Sequence, residues 1–182
     1  MLELISRVRA IMFAPRAEWP AIANESSDAL AIRYVAMLAP IPSVAWLVGG
    51  WLIGGYTPLL SALAGAAVAY ALNFATVFAV AFVVDQLAAR FDAQRSYSNA
   101  LRLTAYSFTP VWLAGIALLV PGASFLALLG LYGIYLMWTG LPVLMRPSER
   151  KLLTYAGAIA AGALAIDIAA RLLVTATVYA LG

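Results

Sequence analysis

No charged residue occurs between Arg33 and Asp85, which leaves 51 consecutive uncharged positions. As one helix, rising about 1.5 Å per residue, this run would extend about 75 Å. The hydrocarbon core of a bilayer is only ~30 Å thick. The run is therefore expected to cross a membrane twice, turning near Gly54-Gly55-Tyr56-Thr57-Pro58. Composition agrees: 65% of the 182 residues are hydrophobic and 10% are charged, where soluble domains carry roughly 25% charged residues.

Further apolar runs cover Leu103 to Val120, Phe125 to Met145 and Leu152 to Leu181. With the opening pair, about Val35–Ile53 and Leu59–Val84, they predict an all-α polytopic membrane protein. Five transmembrane helices would occupy residues 28–182, behind an N-terminal arm at residues 1–27. A second tight turn is expected at Pro121–Ser124, and charged loops at Asp85–Arg102 and Arg146–Lys151. Ten of the eleven basic residues fall in the N-terminal segment or in those two loops. By the positive-inside rule these face the cytoplasm and the C-terminus lies outside. An inner (cytoplasmic) membrane location follows. Trp46, Trp51 and Tyr56 would gather at the outer end of the first hairpin.

The chain has neither Cys nor His. Thiolate chemistry, Cys/His metal sites and histidine general bases are thereby excluded. No enzyme activity, cofactor, metal or nucleic-acid partner is expected. Met1 to Phe13 is interrupted by Glu3, Arg7 and Arg9, so it does not read as a cleavable signal peptide.

Leu4, Ile5, Val8, Ile11 and Met12 share one helical face, opposite Glu3, Ser6, Arg7 and Arg9. The segment is too short to span and reads as an amphipathic interfacial helix on the inner leaflet. Arg7 and Arg9 would meet anionic headgroups at about 1 kcal/mol each. Ala14-Pro15 ends the helix, and Trp19 suits the headgroup layer. Ser26 or Ser27 is placed to cap the first span, with Asp28 in its opening turn. The arm would seal the cytoplasmic face or serve as a docking surface. Arg7, Arg9, Arg16, Trp19, Arg90 and Arg95 are the candidate contacts to lipid or to a partner.

Within the spans, Asp167 and Arg171 stand four residues apart, acid first, and share a face. An isolated charge at that depth costs at least ~3 kcal/mol, so pairing is favoured. Asn73 is the other deep polar side chain. These three form a candidate intramembrane polar site; the alternative is a self-neutralised pair plus a packing amide. Ser61, Gly65, Ala69 and Asn73 make one small-residue ridge, and Gly157, Ala161 and Ala165 another. Both are expected to be packing seams, compatible with a homo-oligomer or a membrane protein partner. Gly50 and Gly54 form a weaker GxxxG. Pro40, Pro42 and Pro110 interrupt the helix ladder, Pro110 freeing the carbonyl of Tyr106. Arg33-Tyr34-Val35-Ala36 before Pro40 faintly matches Arg102-Leu103-Thr104-Ala105 before Pro110.

Three stretches resemble a known family: Ile11 to Glu25 (IMFAPRAEWPAIANE), Ala100 to Pro110 (ALRLTAYSFTP) and Gly130 to Met145 (GLYGIYLMWTGLPVLM). Together with the span pattern they are similar to the bacterial branch of the Yip-one (Ypt/Rab-interacting protein) domain family. The resemblance implies five transmembrane helices, a cytoplasmic N-terminus and no catalytic activity. Its eukaryotic members are linked to Rab-type GTPases and vesicle traffic. The acidic Asp-Leu-Tyr-Gly-Pro-type motif and long N-terminal region of those members are absent here, so that role does not carry over.

Two functions remain in view. One is a non-enzymatic membrane-organising or trafficking-type scaffold acting on lipid or protein partners through its arm and basic loops. The other is a small transporter or channel using Asn73, Asp167 and Arg171. The topology has a direct test: a reporter fused after Gly182 is expected to be active only on the outer side, and cytoplasmic activity would overturn the orientation.

Overall fold

The computed structural model describes residues 2–53, 58–119 and 123–181. Among these residues there is no β-strand. The arm forms α1 (Leu2–Phe13) and α2 (Pro15–Ala23). Then come α3 (Asp28–Leu38) and α4 (Pro40–Leu47), which runs on into a π-helical turn at Val48–Ile53. The long α5 (Leu59–Ala88) leads to α6 (Tyr97–Ser107) and α7 (Thr109–Ala114), with a 3₁₀ continuation at Gly115–Leu119. A 3₁₀ stretch, Ala123–Leu131, feeds α8 (Tyr132–Leu144), and α9 (Leu152–Leu181) closes the chain.

Three helical stretches are long and apolar enough to cross a bilayer: Asp28–Leu47, Leu59–Phe91 and Glu149–Ala180. Leu128–Leu144 is a shorter apolar helix. The expected turn residues Gly54 to Thr57 lie outside the described residues, as do Val120 to Gly122. So does Gly54 of the GxxxG pair.

The most polar of these helices is also the most enclosed. Every residue of α6 from Ala100 to Ser107 is buried, including Arg102, Thr104 and Ser107. It packs against α3, α5 and α8. α9 packs along α5 and leaves most of its surface outward. This ordering suits a lipid solvent, in which polar side chains gain by facing other helices and apolar ones lose nothing by facing out.

Proline sets the breaks, and neighbouring side chains repair them. Pro40 has no N–H for the carbonyl of Ala36. Tyr70 of α5 donates its hydroxyl there, at 3.4 Å. Pro110 deprives the carbonyl of Tyr106 in the same way, and Thr109 Oγ1 donates to it at 2.7 Å. Thr109 has one hydroxyl proton, so Tyr34 Oη must be the donor in the 2.7 Å contact between the two hydroxyls. The two interrupted rods, α3–α4 and α6–α7, lie side by side. Ser27 caps α3, its Oγ accepting from the N–H of Ala29 at 3.1 Å.

The arm is built into the bundle. Ile11, Trp19 and Ile22 are fully buried in the same core as Leu103, Leu136 and Leu141. α1 docks with Ile11, and with Leu4, Val8 and Met12 beside it, while Ile5 and Phe13 stay exposed. The sequence reading of α1 as a helix on the leaflet alone is therefore revised. Trp19 is likewise moved from the headgroup layer into a slot on α8. A Cβ added at Gly140 would meet Trp19 Cε2 at 2.7 Å and Leu103 Cδ1 at 2.6 Å. Two helical turns earlier, a Cβ at Gly133 would lie 2.7 Å from the carbonyl oxygen of Ser107. These two glycines let α8 approach α2 and α6, and Trp19 Nε1 donates to Thr139 Oγ1 at 3.1 Å. Trp19→Ala is expected to cost about 3–5 kcal/mol in detergent unfolding. Gly140→Leu should expel the indole and speed tryptic cleavage after Arg16; unchanged cleavage would refute the slot.

Candidate functional site

The charged segments converge on one end of the bundle. Gln94 N–H donates to the carbonyl of Met145 at 2.7 Å. Asn99 Nδ2 donates to the carbonyl of Leu144 at 3.0 Å. Lys151 Nζ lies 2.9 Å from Asp92 Oδ2. The arm joins them through Arg102 of α6. Its Nε and Nη2 reach Asp28 Oδ1 at 3.2 and 3.0 Å, and its Nη1 reaches the carbonyl of Ala23 at 3.3 Å. That carbonyl closes α2, where a cation is favoured by the helix dipole. Ser98 Oγ donates to the same Asp28 oxygen.

One turn deeper lies a second network. Arg7 of α1 pairs with Glu18 of α2, and its Nη2 lies 3.1 Å from Glu25 Oε1. Tyr106 Oη donates to the same Oε1 at 2.8 Å. The guanidinium also stands 5.8 Å from the centre of the Tyr106 ring, close enough for a cation–π contact. The Tyr34 ring packs on Tyr106, centroids 4.6 Å apart. The Glu25 side chain is only 4% exposed, and its Oε2 is buried without a hydrogen-bond partner. A cavity of about 580 Å³ opens beside this network, lined by the arm, α3 and α6.

The sequence-predicted site residues divide between these places. Arg9, Arg16 and Arg90 are exposed. Arg95 is exposed but pairs with Asp85 at 2.9 Å. Arg7 turns inward to the two glutamates and Trp19 is enclosed. Asn73 donates to the Ala39 carbonyl at 3.4 Å and to Ser43 Oγ at 3.3 Å, spanning α5 and α4. Arg171 Nε and Asp167 Oδ2 are 2.6 Å apart on an outward face of α9, their side chains 71% and 38% exposed. None of the three lines the cavity at the charged end, nor those beside α4 or α8. The structure does not bring them together.

The ridge on α5 packs at its first two positions: Ser61 and Gly65 are buried, a Cβ at Gly65 meeting Trp46 and Val178. The ridge on α9 does not pack within the chain. Gly157, Ala161 and Ala165 are exposed, and a Cβ at Gly157 would meet nothing. That expectation is corrected for this chain. Glu18, Glu25, Tyr34 and Tyr106 escaped the sequence reading. The available signal was acidic: Glu18 and Glu25 sit among arginines, and Arg102 and Tyr106 share a helical face four residues apart. Among the described residues no group of three or more acidic, His or Cys side chains is placed to hold a metal.

The Yip1 domain model matches residues 9–170. This chain belongs to the Yip1 domain family. It is similar to the inner membrane protein YohC of Escherichia coli strain K12, 27% identical over 158 residues covering 80% of this chain and 81% of that protein. YohC of Escherichia coli O6:H1 strain CFT073 matches to the same extent. No solved structure matches the chain. The match takes in Trp19, Glu25, Arg102, Tyr106 and Gly140, which join the arm of this chain to its bundle.

Burial raises the pKa of Glu25 above its usual value near 4.5, outweighing the opposing hydrogen bond from Tyr106 and the nearby Arg7 and Arg102. A carboxyl whose folded pKa is raised stabilises the fold below its unfolded pKa and loses that contribution as pH climbs through the folded one. The thermal midpoint of the wild type relative to Glu25→Gln should therefore fall as the pH rises from about 4.5. A difference that rose instead would show that the arginines dominate.

Proposed function

We propose that this chain is a non-enzymatic membrane-organising protein of the inner membrane, whose charged end faces the cytoplasm and engages lipid or protein partners. In this reading α6–α7 and the passage through Ala123–Leu144 cross the bilayer with the three long helices, giving five spans. The inner membrane placement also accords with the name of the YohC relatives.

One observation carries the reading: the arm is locked over the charged end by the buried Trp19 and the Arg7–Glu25 network, while Arg9, Arg16, Arg33, Arg90, Arg146 and Arg150 remain exposed. The end is a platform held in place by the arm, with exposed positive charge on its outside. That supports recognition of a negatively charged surface rather than passage of a solute. Transport has less support. Asn73 is occupied in bridging the Pro-broken first span, and Asp167 and Arg171 neutralise each other away from it.

Anionic lipid supplies the test. Spin-labelled phosphatidylglycerol should be enriched around the reconstituted protein relative to phosphatidylcholine. Neutralising Arg9, Arg16 and Arg90 together should reduce that enrichment, by about fivefold per arginine at low salt. Enrichment that is unaltered in the triple variant would remove the basic platform from the function.

A further inference from the structure

We propose that the cavity beside Glu25 holds the headgroup of an aminophospholipid, its primary ammonium toward Glu25 and its phosphate toward Arg33. The assignment rests on the reading of this end as a lipid-engaging platform and names one ligand for it. The cavity presents three carboxylates, Glu3, Glu18 and Glu25, against two guanidiniums, Arg7 and Arg33. Arg7 is held between Glu18 and Glu25, so the inner wall has acid in excess. Glu25 Oε2 is enclosed and has no donor. Glu25 itself lines the cavity, and the last torsion of a glutamate is soft and roughly two-fold. One water would satisfy it, but a water takes about 30 Å³ and this cavity is about 580 Å³.

The rim has the opposite sign. Arg33 is exposed and pairs with no carboxylate among the described residues. Leu30 and Met37 flank it at i−3 and i+4 on the same face of α3, 48% and 41% exposed, and both line the cavity. Acid within, a free guanidinium at the rim and an apolar strip leading down a membrane-crossing helix match the order of ammonium, phosphate and acyl chain. A quaternary ammonium has no N–H to give Glu25, so the site should favour ethanolamine-type over choline-type lipids.

Detergent-solubilised protein is titrated with dioleoyl phosphatidylethanolamine, phosphatidylcholine or phosphatidylglycerol, or with free phosphoethanolamine, and its thermal midpoint is followed. Phosphatidylethanolamine should reach half-saturation at a roughly tenfold lower concentration than phosphatidylcholine, the worth of a charge-assisted hydrogen bond. Glu25→Gln should erase this preference. Arg33→Gln, at an exposed position that leaves the core alone, should weaken phosphatidylethanolamine by about fivefold, and serves if Glu25→Gln does not fold. Equal response to the two zwitterionic lipids, a preference that survives Glu25→Gln, unweakened phosphatidylethanolamine binding in Arg33→Gln, or a full shift with free phosphoethanolamine would each overturn the assignment. Loss of phosphatidylglycerol enrichment in the arginine triple variant is a separate result and bears only on the platform.

Discussion

A carboxylate removed from water must be met by donors, and much of the charged end is arranged around meeting Glu25. Arg7 comes from α1, Tyr106 from α6, and the carboxylate itself from the linker between α2 and α3. Three segments far apart in sequence are thereby held in one register. In the low dielectric near a bilayer such contacts are stronger than at a wet surface, and leaving one unmade costs correspondingly more. Arg102 performs a parallel task one turn outward, gripping Asp28 and the end of α2. The arm cannot lift away without breaking both sets of bonds and emptying the slot of Trp19.

Lipid changes what a core consists of. In a soluble protein α6, with Arg102, Thr104, Tyr106 and Ser107 in succession, would show at least one of these to solvent. Here all four are buried, and the outward positions of α9 include Leu164, Ile168 and Leu172. Close approach rather than greasiness selects the inner faces. Gly140 and Gly133 on α8 and Gly65 on α5 are each pressed against a neighbour that leaves no room for a Cβ.

Much of this was legible in the residues, for reasons that can be named. Charge is so costly in hydrocarbon that the uncharged run from Tyr34 to Val84 had to mark membrane-length helices, and Leu59–Phe91 is the longest of those found. The Asp167–Arg171 pair follows from a spacing of four. The repair of the Tyr106 carbonyl by Thr109 is local, one residue from the proline that creates the need. Trp19 was not legible, because an indole suits both a headgroup layer and a protein slot. The slot is made by Gly140 and Thr139, some 120 residues away. The ridge at Gly157, Ala161 and Ala165 failed for the complementary reason: small residues at spacing four describe a face but do not say whether anything covers it.

The two proline breaks lie in neighbouring rods, and one chain of hydroxyls joins them. Tyr34, in the turn before the Ala39 break, donates to Thr109, which donates to the carbonyl that Pro110 leaves open. Bending either rod at its weak point would draw Tyr34 away from Thr109 and leave the buried Tyr34 hydroxyl without its acceptor. The pair therefore behaves as a single jointed plate with one hinge line rather than two independent kinks. Tyr106, which meets the acid of the arm at its other end, sits on that line, so any flexing of the plate is felt at Glu25.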